Sequence, residues 1–137
     1  MTAPRVLVTG ASGFVGEALV FRLLVDRKYI PVAATRGATR LQGLCAVVPF
    51  ELTHDRGLPA LEDVQVVVHA AARVHVMNDS ASDPQSQFRK VNVEGTLCLA
   101  RRAAESGVKR FIFISSIKVN GENTLPGMPF KADDQPN

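Results

Sequence analysis

Apolar residues along this chain change period several times, and the changes divide it into alternating strands and helices. Continuously apolar or β-branched runs stand at residues 5–9, 29–35, 45–50, 64–69 and 109–115. Each is too short for a helix, and unbroken apolarity suits strands covered on both faces. Between Phe14 and Asp26 the residues Val15, Leu19 and Leu23 recur every four positions, with Ala18 beside them, which predicts a helix lying against a sheet. A second long helix is predicted from Pro84: Asp83 suits the cap, Pro84 the first turn, and Phe88, Val91, Gly95, Leu99 and Ala103 follow at three- and four-residue steps. Ser106-Gly107 ends it. Shorter helical segments are expected around 37–43 and 57–62. Strands alternating with helices predict an α/β fold, a doubly wound parallel sheet with the first strand central and the ligand crevice at its C-terminal edge. After Gly121 the prolines at 126, 129 and 136 leave little room for regular structure. The expected division is therefore a folded domain over 1–121 and an irregular tail over 122–137.

Composition narrows the function. A chain of 137 residues has room for one domain, able to bury about two-thirds of its unfolded surface. Hydrophobic residues make up 46% and charged residues 21%, as in ordinary globular proteins. The net charge of +3 is spread over scattered Lys and Arg, with no basic run interleaved with aromatics, so no nucleic-acid partner is expected. No stretch reaches the length of a membrane span and no N-terminal leader pattern is visible, so a soluble, cytoplasmic protein is expected. Cys45 and Cys98 stand far apart in apolar stretches and read as small buried hydrophobes. His54, His69 and His75 lack the spacing of a metal site, and no metal is expected. His69 reads as a packed strand residue. His75, Asn78 and Asp79 fall in a polar loop after the fourth strand.

The segment Thr9-Gly10-Ala-Ser-Gly13-Phe14-Val15-Gly16 leaves a predicted strand and opens a predicted helix, the setting a dinucleotide-binding turn requires. Gly10 permits the tight turn, Gly13 lets a pyrophosphate approach the backbone, and Gly16 allows the helix to pack closely on the sheet. The unpaired N–H groups of Phe14 and Val15 then face the phosphates at the positive end of the helix dipole. A plain strand-to-helix turn is the alternative.

The Gly-x-x-Gly-x-x-Gly spacing resembles the opening of the extended short-chain dehydrogenase/reductases, the family of nucleotide-sugar epimerases, dehydratases and reductases. Val66-Val-Val-His69-Ala70-Ala71-Ala72 resembles the strand whose small-residue end lies along the cofactor. Val91-Asn92-Val-Glu-Gly95-Thr96 resembles the helix whose asparagine holds the active site together. Phe113-Ile-Ser115-Ser116-Ile-Lys-Val-Asn-Gly121 resembles the strand that delivers the catalytic serine, with Ser116 at that position. The segments 69–79 and 115–121 are most similar to bacterial epimerases and 4-reductases acting on UDP-N-acetylhexosamines for surface polysaccharide. Asn120 departs from the tyrosine common in the wider family. The resemblance implies a Rossmann-type domain binding NAD or NADP, a UDP-sugar substrate and a homodimeric parent.

NAD-binding members carry an acid at the end of the second strand; here stands Arg36, with Arg40 close behind. A guanidinium fork suits the 2′-phosphate of NADP, and NADP is favoured, although an arginine there can equally be a solvated surface residue. Glu51-Leu52 stand where the family places an acid and an apolar residue against adenine, with an exposed loop carboxylate as the alternative for Glu51. The family's Tyr-x-x-x-Lys pair is absent: Tyr29 is the one tyrosine, followed four residues later by Ala33. The tail resembles the loop that leads into that helix, so the chain is expected to be the cofactor-binding part of a longer enzyme, truncated after the fifth strand and inactive alone. A non-catalytic NAD(P)-binding sensor or partner-binding module is the competing reading.

Overall fold

The computed structural model describes residues 2–52, 57–74 and 83–136. Among these, five parallel strands form one sheet: β1 (Arg5–Thr9), β2 (Ile30–Thr35), β3 (Ala46–Pro49), β4 (Val66–His69) and β5 (Arg110–Phe113). Their order is β3-β2-β1-β4-β5. The chain therefore leaves β1 in one direction to build β2 and β3, then returns to the other side of β1 for β4 and β5. A crevice opens at such a reversal, between the C-terminal ends of β1 and β4. The register aligns those ends: Thr9 pairs with Ala34 and His69, Thr35 with Pro49, and His69 with Phe113.

Alternation within β1 sends Leu7 to one face and Val6 and Val8 to the other. On the first face Leu7 joins Val32, Val67, Leu61 and Leu99, and on the second Val6 and Val8 join Val20, Leu23, Ala33 and Leu41. Each of these buried valine and leucine side chains contributes about 1.5–3 kcal/mol relative to exposure. Helix α1 (Phe14–Asp26) packs against the second cluster. The stripe it buries is Gly16, Val20 and Leu23, so Val15, expected on the core side, is half exposed. The cause lies at Gly16, where a Cβ would overlap the carbonyl oxygen of Gly10. That contact sets the rotation of α1.

The second long helix is interrupted. Residues α2 (Pro84–Arg89) and α3 (Thr96–Glu105) flank a π-helical stretch, Lys90–Gly95. The start follows expectation, with the Asp83 side chain accepting from the Ser86 N–H at 3.1 Å and Pro84 in the first turn. Gly107, at φ +77°, follows its end. Gly95 presses on the Leu52 side chain, 3.0 Å from where a Cβ would stand.

Neither short helix forms where expected. Residues 37–45 make turns, Gly43 taking φ +83° and Leu41 plugging the core. The 57–64 segment is likewise irregular, Leu61 and Pro59 buried as isolated anchors. Continuous apolarity also overstates the cover on the outer strands. β3 is only partly buried, and Ile112 and Phe113 of β5, with Ile114 just after it, are exposed. Both lie at the edges of the sheet, where a strand has one neighbour. Both cysteines are half buried. From Glu122 to Pro136 there is neither helix nor strand, yet the Asn120 amide donates to the Asp134 carbonyl (3.3 Å) and the Lys131 N–H to Asp134 Oδ2 (2.7 Å). The tail is thus tied to the body at Asn120. No helix among the described residues is long and apolar enough to cross a membrane.

Candidate cofactor site

The predicted residues meet along the C-terminal edge of the sheet, where each strand ends beside its neighbour. At the centre is the glycine turn. Gly10 has φ +68°, and a Cβ there would stand 2.8 Å from the backbone of Ala70 and Ala71. Two features forbid a side chain: a left-handed conformation and an adjoining main chain. Gly13 differs. Its backbone is extended (φ −86°, ψ 170°), and a Cβ would meet only the Gly10 carbonyl, at 3.2 Å. What its hydrogen leaves clear is mostly space outside the protein. Gly16 packs on the turn itself rather than on the sheet as expected.

Gly13 caps α1 without a side-chain hydrogen bond; its carbonyl accepts from Glu17. The N–H groups of Phe14 and Val15 have no backbone acceptor among the described residues. Phe14 stands 96% exposed at this helix start. Donors without partners, a helix dipole and a glycine with clear space form a cradle that fits a pyrophosphate.

Beside the cradle, Ala70 and Ala71 are partly buried and Ala72 exposed. The loop they form is held from beneath. The Ala71 N–H donates to Thr9 Oγ1 (3.2 Å), and the Thr9 hydroxyl lies 2.6 Å from His69 Nδ1. The other imidazole nitrogen, Nε2, lies 2.9 Å from Thr96 Oγ1 at the start of α3. Burial pushes His69 down to about 4, so the ring is neutral at physiological pH. A neutral ring carries one N–H, so it donates to one of the two threonine hydroxyls and accepts from the other. Thr9 and His69 are both fully buried. Sequence reasoning read His69 as packed but overlooked Thr9 and Thr96. The available signal was a hydroxyl and an imidazole closing two apolar strands, since buried polar groups need partners.

Asn92 lies in the π-helical stretch, and both ends of its amide bind the Arg73 backbone. Oδ1 accepts from the N–H at 2.7 Å, and Nδ2 donates to the carbonyl at 2.9 Å. Its polar atoms are thus spent on the loop. Arg73 in turn sits over the Phe88 ring, 5.4 Å from its centre.

On the far side of the crevice an open cavity of about 290 Å³ is lined by Arg36, Pro49, Phe50, Glu51 and Gly57. Arg36 and Glu51 are both exposed there, while Leu52 is buried against Gly95 with little surface left for a ligand. Arg40 is engaged elsewhere: its guanidinium makes two hydrogen bonds to the Glu17 carboxylate and lies over Phe21. Glu17 holds Arg40 above its ordinary pKa, and Arg40 holds Glu17 below its own.

Ser116 lies beyond β5, exposed, its Oγ accepting from the Lys118 N–H (3.2 Å) as the cap of a 3₁₀ turn, Ile117–Asn120. Tyr29 immediately precedes β2, at the opposite edge of the sheet from the crevice. Among the described residues no group of three His, Cys, Asp or Glu side chains could hold a metal ion. His54, His75, Asn78 and Asp79 lie outside the described residues.

Known proteins share this fold. The family model of the NAD dependent epimerase/dehydratase family matches residues 6–136. A UDP-glucose 4-epimerase from Vibrio cholerae is 50% identical over 131 residues, which are 94% of this chain and 40% of that protein. A short-chain dehydrogenase/reductase superfamily protein from Agrobacterium tumefaciens, solved with bound NAD, superposes with a TM-score of 0.79 at 30% identity, covering 97% of this chain and 39% of that one. The UDP-glucuronic acid 4-epimerase of Bacillus cereus, solved with UDP-glucuronic acid and NAD, gives 0.77 at 26% identity over 97% of this chain and 46% of its own. The chain thus spans less than half the length of each. With a five-stranded parallel sheet, a glycine turn at the strand-order reversal and a family model matching nearly its whole length, the chain belongs to the NAD-dependent epimerase/dehydratase family.

Proposed function

We propose that this chain provides the NAD(P) site of a nucleotide-sugar epimerase or reductase whose substrate is a UDP-sugar. One observation carries the reading: the glycine turn and the unpartnered amides of α1 stand at the strand-order reversal, against the Ala70–Ala71 backbone. In this reading Gly10, Gly13, Phe14, Val15 and Gly16 form the pyrophosphate cradle. Ala70, Ala71 and Ala72 leave room along the dinucleotide, and Asn92 fixes the end of their loop. Arg36 and Glu51 meet the adenosine end, with Leu52 backing them from the core. Arg36 has no partner among the described residues and Arg40 is held by Glu17, so among the described residues Arg36 is the cation placed to meet a 2′-phosphate. NADP is favoured on that ground, while the relatives solved with a dinucleotide carry NAD.

When bound, the nicotinamide supplies a hydride acceptor or donor. Ser116 would orient the sugar hydroxyl by a hydrogen bond. Its proton still needs a general base of suitable pKa. Tyr29 stands at the wrong edge of the sheet, so the folded unit of residues 1–121 with its tail of 122–137 is proposed to bind cofactor without turning over sugars. The base would come from further residues of a protein of the relatives' length. A homodimeric parent and a cytoplasmic location rest on the family likeness. A non-catalytic NAD(P)-binding module uses the same cradle but has no need of Ser116.

The test mixes the chain with NAD or NADP and a panel of UDP- and dTDP-sugars, following nicotinamide absorbance and sugar products. Cofactor binding without turnover is expected. Turnover above a protein-free control that is lost in Ser116→Ala would overturn the proposed inactivity.

A further inference from the structure

The Ala70–Ala72 loop is tied to the neighbouring helix by two rungs one helical turn apart. Asn92 bonds the backbone of Arg73, and Thr96 bonds the side chain of His69. Asn92 and Thr96 stand four residues apart along the helix, as His69 and Arg73 do along the loop, so a single helix face meets both ends of the loop. Between the rungs, Ala71 donates to Thr9, which also bonds His69.

From this geometry we infer that His69 is a positioning residue for the cofactor site, joining α3 to the end of β1 and so setting the Ala70–Ala72 backbone against the glycine turn. The inference rests on the cofactor reading above for its consequence, but the contact itself is independent of any ligand. The margin it controls is narrow, because Gly10 already lacks room for one carbon atom against Ala70 and Ala71. A shift of that loop by a few tenths of an ångström alters the wall along which a dinucleotide would lie. The ring is well suited to the task. It is fully buried, flanked by Phe111 and Phe113 at centroid distances of 6.0 and 5.9 Å, and both nitrogens are engaged. The groups that meet it, Thr9, Thr96 and the two phenyl rings, carry no charge, so it acts as a fixed donor and acceptor rather than as an ion.

The experiment uses the full chain with His69→Leu, Thr96→Val and His69→Gln, reading amide hydrogen exchange at Ala71, affinity for NAD and NADP, and melting temperature. Leu fills a similar volume without hydrogen bonds; Gln retains a donor and an acceptor. Faster Ala71 exchange and affinity weakened by about tenfold are expected in His69→Leu, with a smaller loss in Thr96→Val and partial recovery in His69→Gln. Ala71 protection and affinity unchanged in folded His69→Leu, or in Thr96→Val if the leucine variant does not fold, would overturn the inference. A leucine variant that matches His69→Gln in both readings would do so too. If the unaltered chain binds neither dinucleotide, the cofactor reading fails, and Ala71 exchange alone still decides whether His69 positions the loop.

Discussion

Thr9 Oγ1 and His69 Nδ1 stand 2.6 Å apart at the C-terminal ends of two adjacent strands, both fully buried. A neutral imidazole is required there, since burial holds His69 at about 4 against an ordinary value of 6.5. The unfolded chain therefore takes up this proton at higher pH than the folded one. Stability from His69 is complete above about pH 6.5, falls as pH drops towards 4, and levels off below. A gap of this size corresponds to at most about 3 kcal/mol. Urea denaturation between pH 7.5 and pH 4 (about the range that matters for a histidine) should show the decline, and His69→Gln should flatten it. Parallel curves for the two proteins would refute the assignment.

Gly16 and Gly13 should separate fold from binding. Gly16→Ala drives a carbon into the Gly10 carbonyl, backbone against backbone, and should cost about 1–3 kcal/mol or more in stability. Gly13→Val places its side chain outward from an extended backbone, so the fold should persist while dinucleotide binding disappears. Circular dichroism melts with calorimetric titration measure both. Retained binding in folded Gly13→Val would remove the pyrophosphate cradle from the proposal.

Arg36→Ala should weaken NADP by about 1–3 kcal/mol, the range for a charge-assisted contact, and leave NAD nearly unchanged. Arg40→Ala is the control: its guanidinium serves Glu17, so neither cofactor should be affected. Equal losses of NAD and NADP in Arg36→Ala would show that Arg36 does not read the 2′-phosphate.

Asn92→Ala removes two hydrogen bonds and leaves the partly buried Arg73 N–H and carbonyl without their partner. A loss of about 1–3 kcal/mol is expected. Asn92→Asp keeps the acceptor but not the donor, and should fall between. Exchange at the Arg73 amide should rise in the alanine variant and much less in the aspartate one; identical exchange in both would place the cost elsewhere than in this clamp.

Much of the architecture was legible because it depends on local order. The runs ending at Thr9, Thr35 and His69 and the helix from Phe14 to Asp26 are short-range patterns, and the structure reproduces them closely. The glycine turn was equally readable, since Gly10 needs a left-handed conformation whatever surrounds it. Other features depend on which surfaces meet. Val15 fits an apolar stripe in one dimension, but the contact of Gly16 with Gly10 turns α1 so that Val15 faces outward. The two expected short helices fail because single anchors such as Leu41 and Leu61 occupy core holes that a regular helix would not fill. Arg36 and Arg40 look alike in sequence and both are exposed, and only the placement of Glu17 across the chain makes Arg40 the paired cation. His69 is the clearest case. Its place in an apolar run says that it is buried, but its partners lie 60 positions before it and 27 after it. Periodicity records what each residue prefers as a neighbour to water or oil, whereas hydrogen bonds of this reach exist only once the sheet has set strand ends side by side.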